Sequence, residues 1–273
     1  MQRFALFGER LGHSLSPQIH SIIARRLGIE ATYVLREMPE QALQAELLTA
    51  AESYKGINVT IPYKTKVMPF LDALAPEAAA MGAVNTISFA GGRMCGYNTD
   101  WLGFARLLGH NGLAVKGQTA AVLGIGGASR AVIYYLAKAG AKEIMLVSRN
   151  PQSLPQDVLA LTRGAEVTCM DYKGLRQRSG DLLINCTPVG MYPQVAAAPV
   201  DKDVVNAFAA VVDIIYNPAE TLLLRYAREL GKPAVNGLFM LTAQAVAAQE
   251  IWQERSFDDL FCLEITQELE KII

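Results

Sequence analysis

The chain has 273 residues, 51% of them apolar, with 25 basic and 26 acidic side chains and a formal charge of −1. That length suggests one large or two ordinary domains and is enough to bury a sizeable core. The near-neutral balance, with no long run of one sign, gives no support for binding to nucleic acid or to an anionic membrane.

Strand and helix patterns alternate along the chain, which predicts parallel sheets with helices on their faces. Residues 4–7 form a short apolar strand, and the first four residues lack the charged and apolar regions of a secretory signal. Residues 17–27 read as a helix, with Ser16 as its N-cap and Pro17 in its first turn. A strand at 32–35 and a helix at 40–52 follow. A third strand, 56–61, is stopped by Pro62. Residues 63–70 and 76–81 are helical, and 84–89 with 93–96 resemble a hairpin around Gly91-Gly92. A helix at 101–108 and a loop at 109–116 lead into a strand–turn–helix–strand unit at 119–123, 131–139 and 143–147. Further strands are expected at 166–170, 182–185, 210–214 and 234–235, and helices at 222–230, 240–253 and 257–272. No apolar run reaches the roughly 18 residues of a membrane span.

The turn of that unit is Gly124-Ile125-Gly126-Gly127-Ala128-Ser129-Arg130. Glycines there let the backbone approach a pyrophosphate, and the helix N-terminus behind them offers free N–H groups and partial positive charge. Ser129 stands where the standard fingerprint has a third glycine, and is small enough for close helix–strand packing. The next strand ends in Ser148-Arg149 rather than in an acid. An acid would hold the ribose 2′-hydroxyl of NAD, whereas an arginine suits the 2′-phosphate of NADP. About a hundred residues precede this unit, enough for a separate domain that would hold a substrate.

Three polar clusters lie in those residues. In Gly12-His13-Ser14-Leu15-Ser16-Pro17, two serines one residue apart point their hydroxyls the same way if the segment is extended. They would suit a carboxylate or polyol, and Ser16 as a helix cap with Ser14 as a turn residue is the competing reading. In Gly56-Ile57-Asn58-Val59-Thr60-Ile61-Pro62-Tyr63-Lys64, Asn58 and Thr60 share one face of a strand. Lys64 follows that strand's C-terminal end, the edge that faces ligands in α/β sheets. It could exchange a proton with a hydroxyl, or be an ordinary solvated lysine. In Gly96-Tyr97-Asn98-Thr99-Asp100, the Asp100 carboxylate either caps the following helix or supports the Lys64 ammonium. Asn85 is a fourth polar residue in a strand-like setting.

Four scattered cysteines (Cys95, Cys169, Cys186, Cys262) form no C-x-x-C pair and read as reduced thiols of a cytoplasmic protein. The three histidines, His13, His20 and His110, form no ligand pair, so no metal site is expected.

In order, S-L-S-P, N-V-T-x-P-x-K, G-A-V-N-T, N-T-D, G-x-G-G-A-S-R and the C-terminal Asn236-Gly237-Leu238-Phe239-Met240-Leu241 with Gln244 make the chain similar to the shikimate dehydrogenase family, over nearly its whole length. The resemblance implies an α/β protein with an N-terminal α/β substrate-binding domain and a Rossmann dinucleotide-binding domain. The C-terminal helices would pack back on the first domain: residues 1–100 plus 238–273 hold the substrate, and 101–237 hold NADP. It implies that Ser14 and Ser16 bind the shikimate carboxylate, and that Thr60, Asn85 and Asp100 bind its hydroxyls. Lys64 is then the catalytic residue, paired with Asp100. Asn58 and Thr99 line the pocket, and Gln244 and Tyr216 reach it from the later part of the chain. Gly124, Ile125, Gly126, Gly127, Ala128 and Ser129 hold the pyrophosphate, and Ser148 and Arg149 the 2′-phosphate. Thr187, Ile214, Gly237 and Met240 line the nicotinamide side.

Two departures from the family pattern stand out. No basic residue follows Arg149 until Arg163, so the usual second phosphate-clamping residue is missing and NAD is a possible cofactor. Phe239 replaces the glycine usual in G-L-G-M. The expected activity is NADPH-dependent reduction of 3-dehydroshikimate to shikimate in chorismate and aromatic amino acid biosynthesis, by a cytoplasmic monomer or homodimer. An NAD-preferring quinate/shikimate dehydrogenase and a relative acting on a modified shikimate are alternatives within the fold. A non-catalytic nucleotide sensor would be expected to lose Lys64 or Asp100, and both are present.

Overall fold

A computed structural model describes residues 1–12 and 14–273; His13, one of the histidines weighed as a metal ligand, lies outside the described residues. The chain divides into two compact units, Met1–Gly103 with Thr242–Ile273, and Phe104–Leu241.

The first hundred residues supply β1 (Gln2–Gly8), α1 (Ser16–Leu27), β2 (Ala31–Glu37), α2 (Leu43–Ser53), β3 (Gly56–Val59), α3 (Tyr63–Lys66), β4 (Ala73–Leu74), α4 (Pro76–Met81), β5 (Thr86–Ser88), β6 (Cys95–Tyr97) and the start of α5 (Asp100–His110). Their six strands form one sheet in the order β2-β1-β3-β5-β6-β4. β1 runs parallel to β2 and β3, but β5 is antiparallel to both β3 and β6. The sheet is therefore mixed, where alternation alone predicts a parallel one. The cause is the short turn between β5 and β6, in which Gly91 and Gly92 take positive φ and return the chain at once. The expected helix over 63–70 breaks after Lys66 into a 3-10 turn, Met68–Phe70. Pro69 lacks the N–H that would continue the α-helix. β3 ends at Val59, so Thr60 lies in the turn that follows rather than on the strand.

Ser16 is not the cap of α1. The helix already includes it, with Leu15 at the N-cap position and no side-chain cap. The segment is not extended either, since Leu15 has φ −84° and ψ 0°.

The second unit holds β7 (Thr119–Leu123), α6 (Gly127–Lys138), β8 (Glu143–Val147), α7 (Gln156–Ala160), β9 (Glu166–Met170), α8 (Tyr172–Leu175), β10 (Gly180–Asn185), α9 (Lys202–Asn206), β11 (Phe208–Asp213), α10 (Leu222–Glu229) and β12 (Ala234–Val235). All strands are parallel, in the order β12-β11-β10-β7-β8-β9. This is the doubly wound dinucleotide-binding order, and it reverses between β7 and β10. Strands β7, β8 and β10 are buried over most of their length, which is why they read as continuous apolar runs. The helix after the glycine turn starts at Gly127, four residues before the apolar periodicity becomes visible.

Two C-terminal helices, α11 (Leu238–Gln253) and α12 (Asp259–Leu269), complete the chain. α12 starts later than periodicity predicts, because Asp258 caps it by accepting from Phe261 N. As expected, this C-terminal segment packs on the first unit. Trp252 stacks on Phe4 with ring centroids 4.7 Å apart. Its indole N–H donates to Ile87 O at 2.9 Å, and its ring lies against Gly56, where a Cβ would sit 2.0 Å from Nε1. α12 lies against α1, with Arg26 paired to Glu264 and Glu268. The opposite face of the sheet is closed by Phe7, Leu43, Leu47, Ile57, Tyr63 and Ile87. Among the described residues no helix is long and apolar enough to cross a membrane.

Candidate active site

Sheet topology in the first unit decides which polar residues meet. β3 and β6 both run antiparallel to β5, so their C-terminal ends and the N-terminal end of β5 share one edge. Lys64 follows β3, Asn85 precedes β5, and Asp100 follows β6. There Lys64 Nζ donates to Asp100 Oδ2 at 2.6 Å, and Asn85 Nδ2 donates to Asp100 Oδ1 at 2.8 Å. Both carboxylate oxygens are thus taken by side chains. The ammonium and carboxylate side chains retain 23% and 16% exposure, enough for a ligand to reach them.

Asn85 itself is held rigidly. Its Oδ1 accepts from Thr99 N at 2.8 Å and from Thr86 Oγ1 at 2.9 Å, while Nδ2 also reaches Thr99 Oγ1 at 3.0 Å. Asn58 is buried; its Nδ2 donates to Asn85 O at 3.1 Å and Thr86 Oγ1 at 3.0 Å, and its Oδ1 accepts from Tyr33 Oη at 2.8 Å. The hydroxyls of Ser14 and Ser16 meet at 3.1 Å despite the bent backbone, and Ser16 N donates to Ser14 Oγ at 3.2 Å. Thr60 is half-buried, its backbone accepting from Tyr63 N. Gln244 is half-buried on α11 in the same unit. Tyr216 belongs to the second unit, where burial pushes its phenol up.

Thr86 and Tyr33 belong to this array and were not singled out by sequence, nor was the role of His20. The imidazole stacks on the Tyr33 ring with centroids 4.1 Å apart, bonds Gln249 through Nδ1 at 3.0 Å, and is held down to about 3 by burial. The His20 ring is therefore neutral at ordinary pH. Burial likewise raises the Tyr33 phenol.

In the second unit, the C-terminal ends of β7 and β10 adjoin at the switch point. Gly124 has φ +86°, and a Cβ there would strike Thr187 Cγ2 at 2.5 Å. Gly126 and Gly127 open onto empty space, with nothing within 4 Å of a built Cβ. A glycine cradle at the N-terminus of a 12-residue helix is the geometry a pyrophosphate needs. Ser129 faces inward instead: it is fully buried and donates to Gly126 O at 2.7 Å, so its side chain braces the turn. Ile125 and Ala128 of the same turn are both half-buried. Ser148 accepts from Asn150 N at 3.2 Å, and Arg149 is exposed at the end of β8. The Arg149 charge is felt by the Tyr172 phenol, which burial otherwise raises.

The loops after β10 and β11 are tied together by a buried carboxylate the sequence did not flag. Asp213 accepts from Asn185 Nδ2 at 3.0 Å, Ile215 N at 3.1 Å and Thr221 Oγ1 at 2.7 Å. Burial pushes it up to about 6. Asn185 Oδ1 in turn accepts from Thr187 N at 2.9 Å and Thr187 Oγ1 at 2.7 Å, fixing that side chain at the switch point. Gly237 packs so closely on Ile214 that a Cβ would sit 2.0 Å from its carbonyl oxygen. Met240 is buried nearby in sequence, and Phe239 stacks on His110 with centroids 4.4 Å apart, both within this unit.

Residues 6–87 match the model of the shikimate dehydrogenase substrate-binding domain. The shikimate dehydrogenase (NADP(+)) of Clostridium beijerinckii is 42% identical, over 95% of this chain and 94% of its own length. The chain belongs to the shikimate dehydrogenase family. A crystal structure of a chorismate mutase/shikimate 5-dehydrogenase fusion protein from Clostridium acetobutylicum matches with TM-score 0.93 and 43% identity, covering 100% of this chain and 98% of that one. The shikimate 5-dehydrogenase of Thermus thermophilus, solved in complex with NADP(H) and shikimate, matches with TM-score 0.85 and 34% identity over 98% and 99% of the two chains. The stretch that matches the substrate-binding domain model carries Ser14, Ser16, Asn58, Thr60, Lys64 and Asn85. Asp100 lies beyond it, and the near full-length relatives extend the family likeness over that residue and over the glycine turn.

Proposed function

We propose that the chain catalyses the reversible, NADPH-dependent reduction of 3-dehydroshikimate to shikimate, a step toward chorismate and the aromatic amino acids. The observation that carries this reading is the Lys64–Asp100 pair, 2.6 Å apart and braced by Asn85, in a chain whose full-length relatives carry that activity in their names. Residues 1–100 and 238–273 serve the substrate, and 101–237 the cofactor. Ser14 and Ser16 hold the substrate carboxylate as hydrogen-bond donors. Thr60, Asn85 and Asp100 bind its hydroxyls, with Asn58, Thr99 and Gln244 of the same unit completing the pocket.

Bound NADPH supplies the hydride, and NADP accepts it in the reverse direction. The chain's own part is positioning and proton management. Lys64 donates a proton to the carbonyl oxygen of the cyclic ketone as it becomes an alcohol, and takes it back on oxidation. Its positive charge stabilises the alkoxide character of the oxygen during the step. Asp100 orients the neighbouring hydroxyl and holds the ammonium in place. The backbone of residues 124–129 cradles the pyrophosphate, Ser148 and Arg149 take the 2′-phosphate, and Thr187, Ile214, Gly237 and Met240 shape the nicotinamide side. The protein works in the cytoplasm as a monomer or homodimer on a small-molecule substrate.

One observation favours NAD as a second cofactor. Arg149 is the sole basic residue of the stretch 148–162, so a single guanidinium faces the 2′-phosphate. Steady-state kinetics crossing NADP and NAD with shikimate and quinate test the reading. The expected result is the highest kcat/KM for NADP with shikimate; a higher value for NAD, or for quinate, overturns the cofactor or substrate assignment respectively.

A further inference from the structure

Tyr33 and Asp100 are linked by buried groups whose hydrogen-bond directions can be worked out. Asn85 O can only accept, and it receives Asn58 Nδ2. That fixes the Asn58 amide, so its Oδ1 faces Tyr33 and the phenol must donate to it. Asn58 Nδ2 also donates to Thr86 Oγ1, so the Thr86 hydroxyl accepts there and spends its proton on Asn85 Oδ1. Thr99 N can only donate, and it reaches the same Asn85 Oδ1, which leaves Asn85 Nδ2 facing Asp100. Every group donates to the next: Tyr33, Asn58, Thr86, Asn85, Asp100.

We propose that Tyr33 and Thr86 are positioning residues, which hold the Lys64–Asp100 pair in place through a one-way hydrogen-bond chain. This rests on the functional reading above. Aligned hydrogen bonds polarise one another in a low-dielectric interior, and this run ends on the carboxylate that holds Lys64. Thr86, Asn58 and Asn85 are 0%, 7% and 3% exposed, so water does not compete along the middle of the run. The stack of His20 on Tyr33 holds the phenol on its line.

The test uses the full chain with shikimate and NADP, comparing wild type with Tyr33→Phe, Thr86→Val, Thr86→Ser and the double variant Tyr33→Phe/Thr86→Val. Tyr33→Phe keeps the buried ring and removes only the hydroxyl, so it remains informative if Thr86→Val folds poorly. Each single cut is expected to lower kcat about tenfold with KM for NADP unchanged, the scale of one hydrogen bond in a charged network. The double variant is expected to be no worse than Thr86→Val, because both cuts interrupt one chain. Thr86→Ser is expected to restore most of kcat. Wild-type turnover in Tyr33→Phe, losses that multiply in the double variant, or a Thr86→Ser as impaired as Thr86→Val would each overturn the proposal while leaving the functional reading intact. A wild-type protein that does not oxidise shikimate removes the reading, and this role with it.

Discussion

Two buried titratable groups, His20 and Asp213, set opposite pH responses in the folded chain. His20 is held at about 3 against an ordinary 6.5, so the unfolded chain takes up a proton between those values that the folded chain refuses. The stability of the neutral ring is complete above about pH 6.5 and is lost as pH falls toward 3. Asp213 is raised to about 6 from 3.8, so there the folded chain binds the proton more tightly. Its contribution is full below about pH 3.8 and declines as pH rises through 6. Between about pH 6 and pH 3.8 the two slopes oppose and cancel, so the His20 loss acts alone only just above that range and again below it. His20→Gln removes the titrating ring. Thermal unfolding followed from about pH 7 to about pH 4 should show the Tm of this variant rising relative to that of wild type as pH falls. Parallel curves would assign the acid response to another group.

At the scale of elements, Trp252 shows how the C-terminal segment secures the first sheet. Its indole covers Gly56, stacks on Phe4 and donates to Ile87 O. Trp252→Ala leaves a cavity beside Gly56 and Phe4, and should cost about 3–5 kcal/mol. Denaturant titration checks this, and a loss below about 1 kcal/mol would mean that α11 closes over the gap. The long elements were legible in sequence because burial on both faces or on one stripe leaves a clear period. The helices α7, α8 and α9 were not, since 4–5 residues give no period. The last two are set by Asp171 and Asp201, whose side chains accept from the third N–H. The candidate residues were legible as motifs, and their meeting was not. Lys64 and Asp100 are 36 residues apart, and only the antiparallel insertion of β5 brings their strand ends to one edge. Thr86 and Tyr33 escaped notice because a threonine and a tyrosine in strands are ordinary by propensity. Their function lies in the direction of a hydrogen bond, which only the pairing reveals.

For the molecule as a whole, two units carry complementary equipment. One has a mixed sheet with a braced lysine–carboxylate pair at a single edge. The other has a parallel sheet with an open glycine cradle at its switch point. In the proposed reaction the cradle serves the hydride carrier, and the pair serves the proton and the alkoxide. The claim on which the rest depends is that Lys64 performs the proton chemistry of NADP-linked shikimate oxidation. The most direct measurement is kcat for that oxidation, followed by NADPH absorbance, in wild type and Lys64→Ala, with NADP binding measured alongside by fluorescence titration. The account predicts that kcat falls by a factor on the order of 10²–10⁴ while NADP affinity is preserved. A Lys64→Ala enzyme that turns over shikimate at close to the wild-type rate would contradict it.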